Sequence, residues 1–256
     1  MNENNMFEWY EKLYSDVHRS SSYRRYCEKV FGRDFSQQGF SDISQINLML
    51  SNLSIKANQK VLDVCCGTGK LDRFIHELTN ADITGIDYSQ TAIEIANQQK
   101  TLGLSYICTD MDEYNYINNS YDAIFSIDAI FFSSDLTRLL LKLINALKRE
   151  GILALYYIEI IFDNETDPEI LDVDNTPIAK AFKSLNASYR YCDVTDNTYS
   201  HMKLKNRIGK EMKDEFQSEG NSYLYEYIVR ESIPEDMSLE EFKERYARYL
   251  YIYEKR

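Results

Sequence analysis

The residues best placed to do chemistry lie in one short stretch, VLDVCCGTGKLD, at 61 to 72. An apolar run ends at Asp63 and Val64, small residues follow, and a helical pattern begins near Thr68. Gly67 and Gly69 carry no Cβ, so the backbone there can turn tightly and let a ligand come close. A glycine turn after a strand is weak evidence alone, because many nucleotide folds use one. Three carboxylates sharpen it. Asp63 closes the strand, and an acid there suits a ligand bearing ammonium and sulfonium charge and disfavours a pyrophosphate. ITGID brings Asp87 to the end of the next apolar run, where it can accept hydrogen bonds from both hydroxyls of a ribose. YICTDMDEY closes a third run with Asp110 and Met111, able to accept from an adenine amino group and to pack on its ring.

These residues need a scaffold that brings strand ends together. From residue 60 short apolar runs alternate with helical segments. Strands are expected at 61–64, 82–86, 104–108, 123–127 and 152–158, with helices at 70–78, 90–99 and 136–147. Such βα alternation implies a parallel sheet with helices on both faces. Upstream, 6–17 has the spacing of an amphipathic helix, with Met6, Tyr10, Leu13 and Val17 on one stripe. A second helix is expected over 23–31, then a polar loop. Asp42 and Gln45 have the spacing of a capping box before a helix carrying Ile43, Ile46, Leu50 and Leu53. Downstream, 160–188 reads as an insertion containing a helix at 178–185. A strand at 189–194, one long charged helix at 198–217, a helix at 238–245 and a last strand at 249–253 complete the chain.

Taken together, the motifs resemble the class I S-adenosylmethionine-dependent methyltransferases, well over 44–160 and more loosely to the C-terminus. That family has an acid and a glycine-rich turn after strand one, a ribose-binding acid after strand two, and an acid with an apolar neighbour after strand three. YDAIFSIDAIFF at 121–132 matches the fourth strand, and LKREGILAL at 147–155 the approach to strand five. The resemblance implies a Rossmann-like, doubly wound, mostly parallel seven-stranded sheet whose last strand is antiparallel. It implies S-adenosylmethionine as cofactor, held by Asp63, Cys65, Gly67, Thr68, Gly69, Asp87, Tyr88, Asp110, Met111 and Ile127, with no metal. One departure is Cys65, where the family usually has glycine; cysteine is tolerated there if its φ stays below zero. Cys65 and Cys66 read as small residues filling a crowded turn and not as redox groups. The alternative of a dinucleotide-dependent dehydrogenase wants a third glycine where Asp72 stands, and an acid there would crowd a pyrophosphate.

The acceptor is less legible. Neither the Asn/Asp-Pro-Pro-aromatic motif nor the Pro-Cys nucleophile of nucleic-acid branches is present, and the chain has only three prolines. Tyr-rich flanks suit a pocket for a small organic molecule, so a small-molecule acceptor methylated at N or O is expected. Asp128, Glu159 and His201 are the candidates for contact with it or for a general base, each with a structural alternative. His18 and His76 read as surface residues. A catalytically silent cofactor-binding regulator and a protein or RNA methyltransferase remain the alternatives. Residues 1–40, rich in aromatics, are expected to form a helical lid. The methyltransferase domain then spans 41–256, with a cofactor-binding core at 58–160 and acceptor-side additions at 160–235.

Composition bounds the rest. Forty-one acidic against 29 basic side chains give a net charge of −12, which opposes nucleic-acid binding through phosphate neutralisation. The 256 residues suffice for one large domain. No run approaches a membrane span, the N-terminus has no signal-peptide pattern, and five cysteines without ligand spacing fit reduced thiols. A cytoplasmic protein with no membrane or nucleic-acid partner is therefore expected. The sequence does not address its oligomeric state.

Overall fold

The computed structural model describes residues 3–36, 38–163 and 165–256. Its centre is a seven-stranded sheet of order β3-β2-β1-β4-β5-β7-β6. The strands are β1 (Lys60–Val64), β2 (Asp82–Asp87), β3 (Leu104–Cys108), β4 (Tyr121–Ile127), β5 (Leu147–Ile160), β6 (Tyr189–Asp193) and β7 (Tyr246–Glu254). The first five pair in parallel, and β7 runs antiparallel between β5 and β6. The chain builds outward from β1 in one direction to β3, then crosses to β4 on the other side. This reversal opens a crevice at the carboxyl ends of β1 and β4, where sheets of this kind bind ligands.

Alternation along each strand feeds two cores. Leu62, Ile124, Leu153 and Leu155 face Leu139, Leu140 and Leu143 of α6 (Leu136–Ala146) and Phe182 of α7 (Pro177–Ser184). Val61, Phe125, Ala154 and Tyr156 face Met49 and Leu53 of α3 (Ile43–Leu53) and Ile75 of α4 (Lys70–Thr79). The crossover from β2 to β3 is α5 (Gln90–Gln98).

A third core lies off the sheet. Here α1 (Glu3–Arg19) and α2 (Ser21–Phe31) meet α8 (Thr195–Glu211), α9 (Lys213–Ser218) and α10 (Ser222–Arg230). Leu13, Val17, Tyr26 and Phe31 interlock with Met212, Phe216, Leu224 and Ile228. The single helix expected over 198–217 is two helices, parted at Met212, whose side chain is drawn into this core. The α10 helix was not foreseen. Near the end, α11 (Leu239–Lys243) begins with a complete capping box made by Ser238 and Glu241.

The box expected at Asp42 is only half formed. Asp42 accepts from the Gln45 amide at 3.0 Å, but the Gln45 side chain turns inward to Arg248. Arg248, on β7, is fully buried. Its Nε and Nη2 donate to the two oxygens of Asp128 at 2.8 Å each. Nη2 also reaches Ser41 at 2.6 Å, and Nη1 reaches Gln45 at 2.6 Å and Thr198 at 3.4 Å. The guanidinium lies 4.4 Å from the Tyr156 ring centroid. One side chain thereby joins β7, the end of β4, the start of α3 and α8. Arg248→Ala is expected to lower stability by about 3–5 kcal/mol, because Asp128 would be left as an uncompensated buried charge. Urea unfolding of the variant checks this, and a loss under about 1 kcal/mol would refute it.

Candidate cofactor and acceptor site

The turn after β1 is built on left-handed backbone. Cys65, Gly67 and Gly69 have φ of 70°, 54° and 67°. Two of these are glycine, the residue that takes such angles without a Cβ clash; Cys65 is not, so the expectation of a negative φ there is overturned. The fold imposes the angle: the amides of Cys65 and Cys66 both donate to the Ile86 carbonyl, at 2.8 and 3.0 Å. A Cβ on Gly67 would lie 3.3 Å from the Tyr14 hydroxyl, and one on Gly69 only 2.5 Å from the Tyr106 ring. Cys65 Sγ points to Met111 Sδ at 3.9 Å, so the turn and the segment after β3 are in contact. Thr68 is buried with its hydroxyl unpartnered among the described residues.

Asp87 sits at the end of β2, buried, accepting from the amides of Gly67 and Ser89 at 2.9 Å each. Burial pushes its carboxyl up to about 6 against those hydrogen bonds. Asp63 is buried beside Asp72. Burial first, and the Asp72 charge second, push Asp63 well above the usual carboxylate range, and burial pushes Asp72 up to about 7. Asp72 lies on the inner side of α4, in the space left by Gly85, where a Cβ would be 2.7 Å from its Oδ2. It therefore does not crowd the mouth of the turn, as the sequence had implied; only the missing third glycine argues against a pyrophosphate. Asp110 is exposed, with Oδ1 accepting from the Asp112 amide at 2.6 Å, while Met111 is buried. Ile127 is half-buried at the end of β4. Among the described residues, Asp63, Asp87 and Asp110 have no ion-pair partner.

A roof of aromatic side chains comes from α1. Tyr88, after β2, has Phe7 at 5.4 Å and Tyr10 at 6.2 Å between ring centroids. Tyr10 also meets Tyr14 and, across the crevice, Phe132. Glu11 accepts from the Thr91 amide at 3.2 Å and from its hydroxyl, docking α1 on α5. Burial, then the charges of Glu231 and Asp87, push Tyr10 up to about 12.

The three candidates for contact with an acceptor are not brought together. Asp128 is committed to Arg248 and to the Phe40 amide at 3.0 Å, so it is no free base. His201 is 4% exposed, not at the mouth, and its ring lies 4.8 Å from Phe31. Burial, then the Lys205 charge, pull it down to about 3, so it is a neutral core side chain. Glu159 shares the face of β5 that carries Tyr157 and keeps one buried oxygen without a partner. His18 and His76 are half-buried and not surface residues. Buried Lys205 and Arg248 were missed, because a charged residue in a helical or strand pattern reads as a solvated one. Among the described residues no metal-binding cluster occurs and no helix is long and apolar enough to cross a membrane.

Comparison with known proteins agrees with this geometry. Residues 61–151 match the family model for a methyltransferase domain. The chain is 34% identical over 122 residues to phosphoethanolamine N-methyltransferase 1 of Arabidopsis thaliana, covering 46% of this chain and 24% of that protein. It is 28% identical over 193 residues to a malonyl-[acyl-carrier protein] O-methyltransferase of Acetivibrio thermocellus, covering 72% and 65%. Among solved structures, Haemonchus contortus phosphoethanolamine N-methyltransferase 2, in complex with phosphomonomethylethanolamine and S-adenosylhomocysteine, superposes with a TM-score of 0.74 at 17% identity. That match covers 96% of this chain and 60% of the other. The chain has the fold of the class I S-adenosylmethionine-dependent methyltransferases. Residues 61–151 match the methyltransferase-domain model, and the chain spans about a quarter of the plant relatives' length.

Two variants test the strain and charge stored here. Cys65→Gly is expected to stabilise the protein by about 1 kcal/mol, since a non-glycine residue in the left-handed region costs roughly 1–2 kcal/mol and glycine's added chain entropy returns part of it. A lower urea midpoint would refute the strain. Asp72 keeps its proton in the folded state up to about pH 7, whereas the unfolded chain loses it near the ordinary carboxylate value. Stability therefore falls as pH rises through that window, and the loss is complete above about 7. Asp72→Asn should raise stability at pH 8, by on the order of 2 kcal/mol, and leave it little changed at pH 4. An equal effect at both pH values would dismiss the raised titration of Asp72.

Proposed function

We propose that the protein transfers a methyl group from S-adenosylmethionine to a small-molecule acceptor, at nitrogen or oxygen. The observation that carries this reading is the acid-lined crevice: Asp63, Asp87 and Asp110 gather around a glycine turn, and among the described residues no cationic side chain pairs with them. Such a site fits a ligand with positive charge and donor hydroxyls. Asp87 would hold the ribose hydroxyls, with Tyr88 beside it. Asp63 would face the charged end of the cofactor through the turn formed by Cys65, Gly67, Thr68 and Gly69. Asp110, Met111 and Ile127 would hold the adenine.

When bound, S-adenosylmethionine supplies a methyl group on a sulfonium already activated for displacement. The protein's work is then alignment and water exclusion. Tyr10, Tyr14 and Phe132 roof the crevice, so α1 and α2 act as a cap over it. Glu159, the candidate carboxylate with one buried oxygen left without a partner, is the group available to take a proton from the acceptor. Free cysteines and the acidic charge fit a cytoplasmic enzyme with no nucleic-acid partner.

Calorimetric titration with S-adenosylmethionine in the presence of a chelator should show direct binding; none would overturn the reading. Asp87→Ala should weaken binding by about 1.5–3 kcal/mol without unfolding the chain. Because hydroxyl donors favour the ionised carboxylate, binding should also weaken as pH falls through about 6. Asp87→Asn should flatten that profile, and a wild-type profile flat from pH 8 to 5 would remove Asp87 from the role.

A further inference from the structure

We propose that Asp63 and Asp72 act as one proton-sharing unit, and that the cofactor's ammonium, on reaching Asp63, drives a proton from it to solvent. Asp72 is then a positioning residue, coupled to the cofactor only through Asp63. This deepens the methyl-transfer reading and rests on it.

The geometry begins with Asp72. Its place in the first turn of α4 would ordinarily offer a carboxylate the free amides of a helix end. Asp72 is instead fully buried, and neither of its oxygens meets a donor among the described residues. The group it does meet is the Asp63 carboxyl, 4% exposed on β1 and within hydrogen-bonding contact. Ionised carboxylates only accept, so two in contact are joined only by a proton between them. Asp72 fills the space left by Gly85, where a Cβ would lie 2.7 Å from both its Oδ2 and Cys66 Sγ. The Thr68 hydroxyl, also 4% exposed and without a partner among the described residues, shows that this turn holds more polar groups than the chain satisfies.

The groups around the pair do not replace that proton. On α4, Lys70 is paired with Asp34, and Arg73, whose charge favours ionised Asp72, donates to the Gln99 carbonyl and side chain. From β2, Asp87 adds negative charge beside Asp63. Burial keeps Cys65 and Cys66 in the turn, Tyr106 from β3 and Tyr14 from α1 neutral. Two buried acids in contact cannot both ionise cheaply. One proton therefore stays with the pair well above the carboxylate range, and the other leaves only near 7. An ammonium at Asp63 supplies the missing opposite charge. The proton that otherwise leaves near 7 is then expelled at lower pH.

The test is calorimetric titration of the full chain with S-adenosylmethionine at pH 7, in buffers of different ionisation enthalpy, so that protons are counted. Wild type should release about half a proton per cofactor from the pair, and roughly a tenth more from Asp87. Its affinity should fall roughly tenfold from pH 8 to pH 6 through the pair alone. Asp72→Asn gives Asp63 an amide donor and removes the competing charge. This variant should bind about as well as wild type at pH 8, release only the Asp87 share, and lose only about twofold in affinity by pH 6. Asp87→Asn, which removes the step near 6, should keep the half proton. Methylthioadenosine, which carries the adenosine and no ammonium, should release only the Asp87 share from wild type. Equal proton release by wild type and Asp72→Asn, or by the two ligands on wild type, overturns the proposal. If Asp72→Asn fails to fold by circular dichroism, the two ligands decide. Absence of S-adenosylmethionine binding overturns the methyl-transfer reading itself, and this inference with it.

Discussion

The molecule is organised around one buried cation. Burying a guanidinium costs several kcal/mol even after relaxation, and the cost is met only if its fixed fork of donors is fully used. In Arg248 all five N–H groups find an acceptor, on Asp128, Gln45, Ser41 and Thr198. These partners come from β4, α3 and its approach, and α8, so the network sets how the additions to the sheet meet its carboxyl edge. Asp128 completes the link by accepting from the Phe40 amide. Gly39 must be glycine here, because a Cβ would sit 2.8 Å from Asp128 Oδ2. The loop carrying Gln38, Gly39 and Phe40 is thereby held against the end of β4, and Lys205 is laid over Phe40. A neutral residue at 248 would leave these four segments without a common point of attachment.

The sheet was legible from sequence because its physics is local. Parallel strands covered on both faces need continuous apolar runs, and those runs were visible at 61–64 and 123–127, close to the observed bounds. The acids at strand ends were legible for the same reason, since Asp63, Asp87 and Asp110 each close a run. What was not legible depended on distant partners. Arg248 lay outside the strand expected at 249–253, although β7 begins at Tyr246, and only Asp128, far away in sequence, explains its burial. His201 looked like a helix-end base because its burial against Phe31 is set by α2. The sign of φ at Cys65 follows from the Ile86 carbonyl on the neighbouring strand, which no local pattern encodes.

The N-terminal helices have a different relation to the site from a hinged flap. Their apolar stripe was readable, but its partner was not. Leu13, Val17, Tyr26 and Phe31 bury against Met212, Phe216, Leu224 and Ile228, so α1 and α2 cannot lift away alone without exposing a core to water. Any opening must move the N-terminal helices together with α8–α10, or involve only the α1 contacts with Tyr88, Thr91 and Phe132. Those contacts are aromatic edges and one carboxylate, few and partly exposed, and they are the part of the structure that opens at least cost.

Several charged groups of the molecule stand without a partner of opposite sign. Among the described residues Asp63, Asp87 and Asp110 have no ion-pair partner, and neither has Lys205. Asp63, Asp87 and Lys205 are not retained for stability, because each is desolvated, and burial shifts all three toward their neutral forms. In the proposed reaction, transfer of the methyl group would remove the positive charge on sulfur and so weaken attraction to the acidic residues once the reaction is complete. The same acids that favour binding before transfer therefore give less hold on the product, which links the electrostatics of the crevice to turnover as well as to affinity.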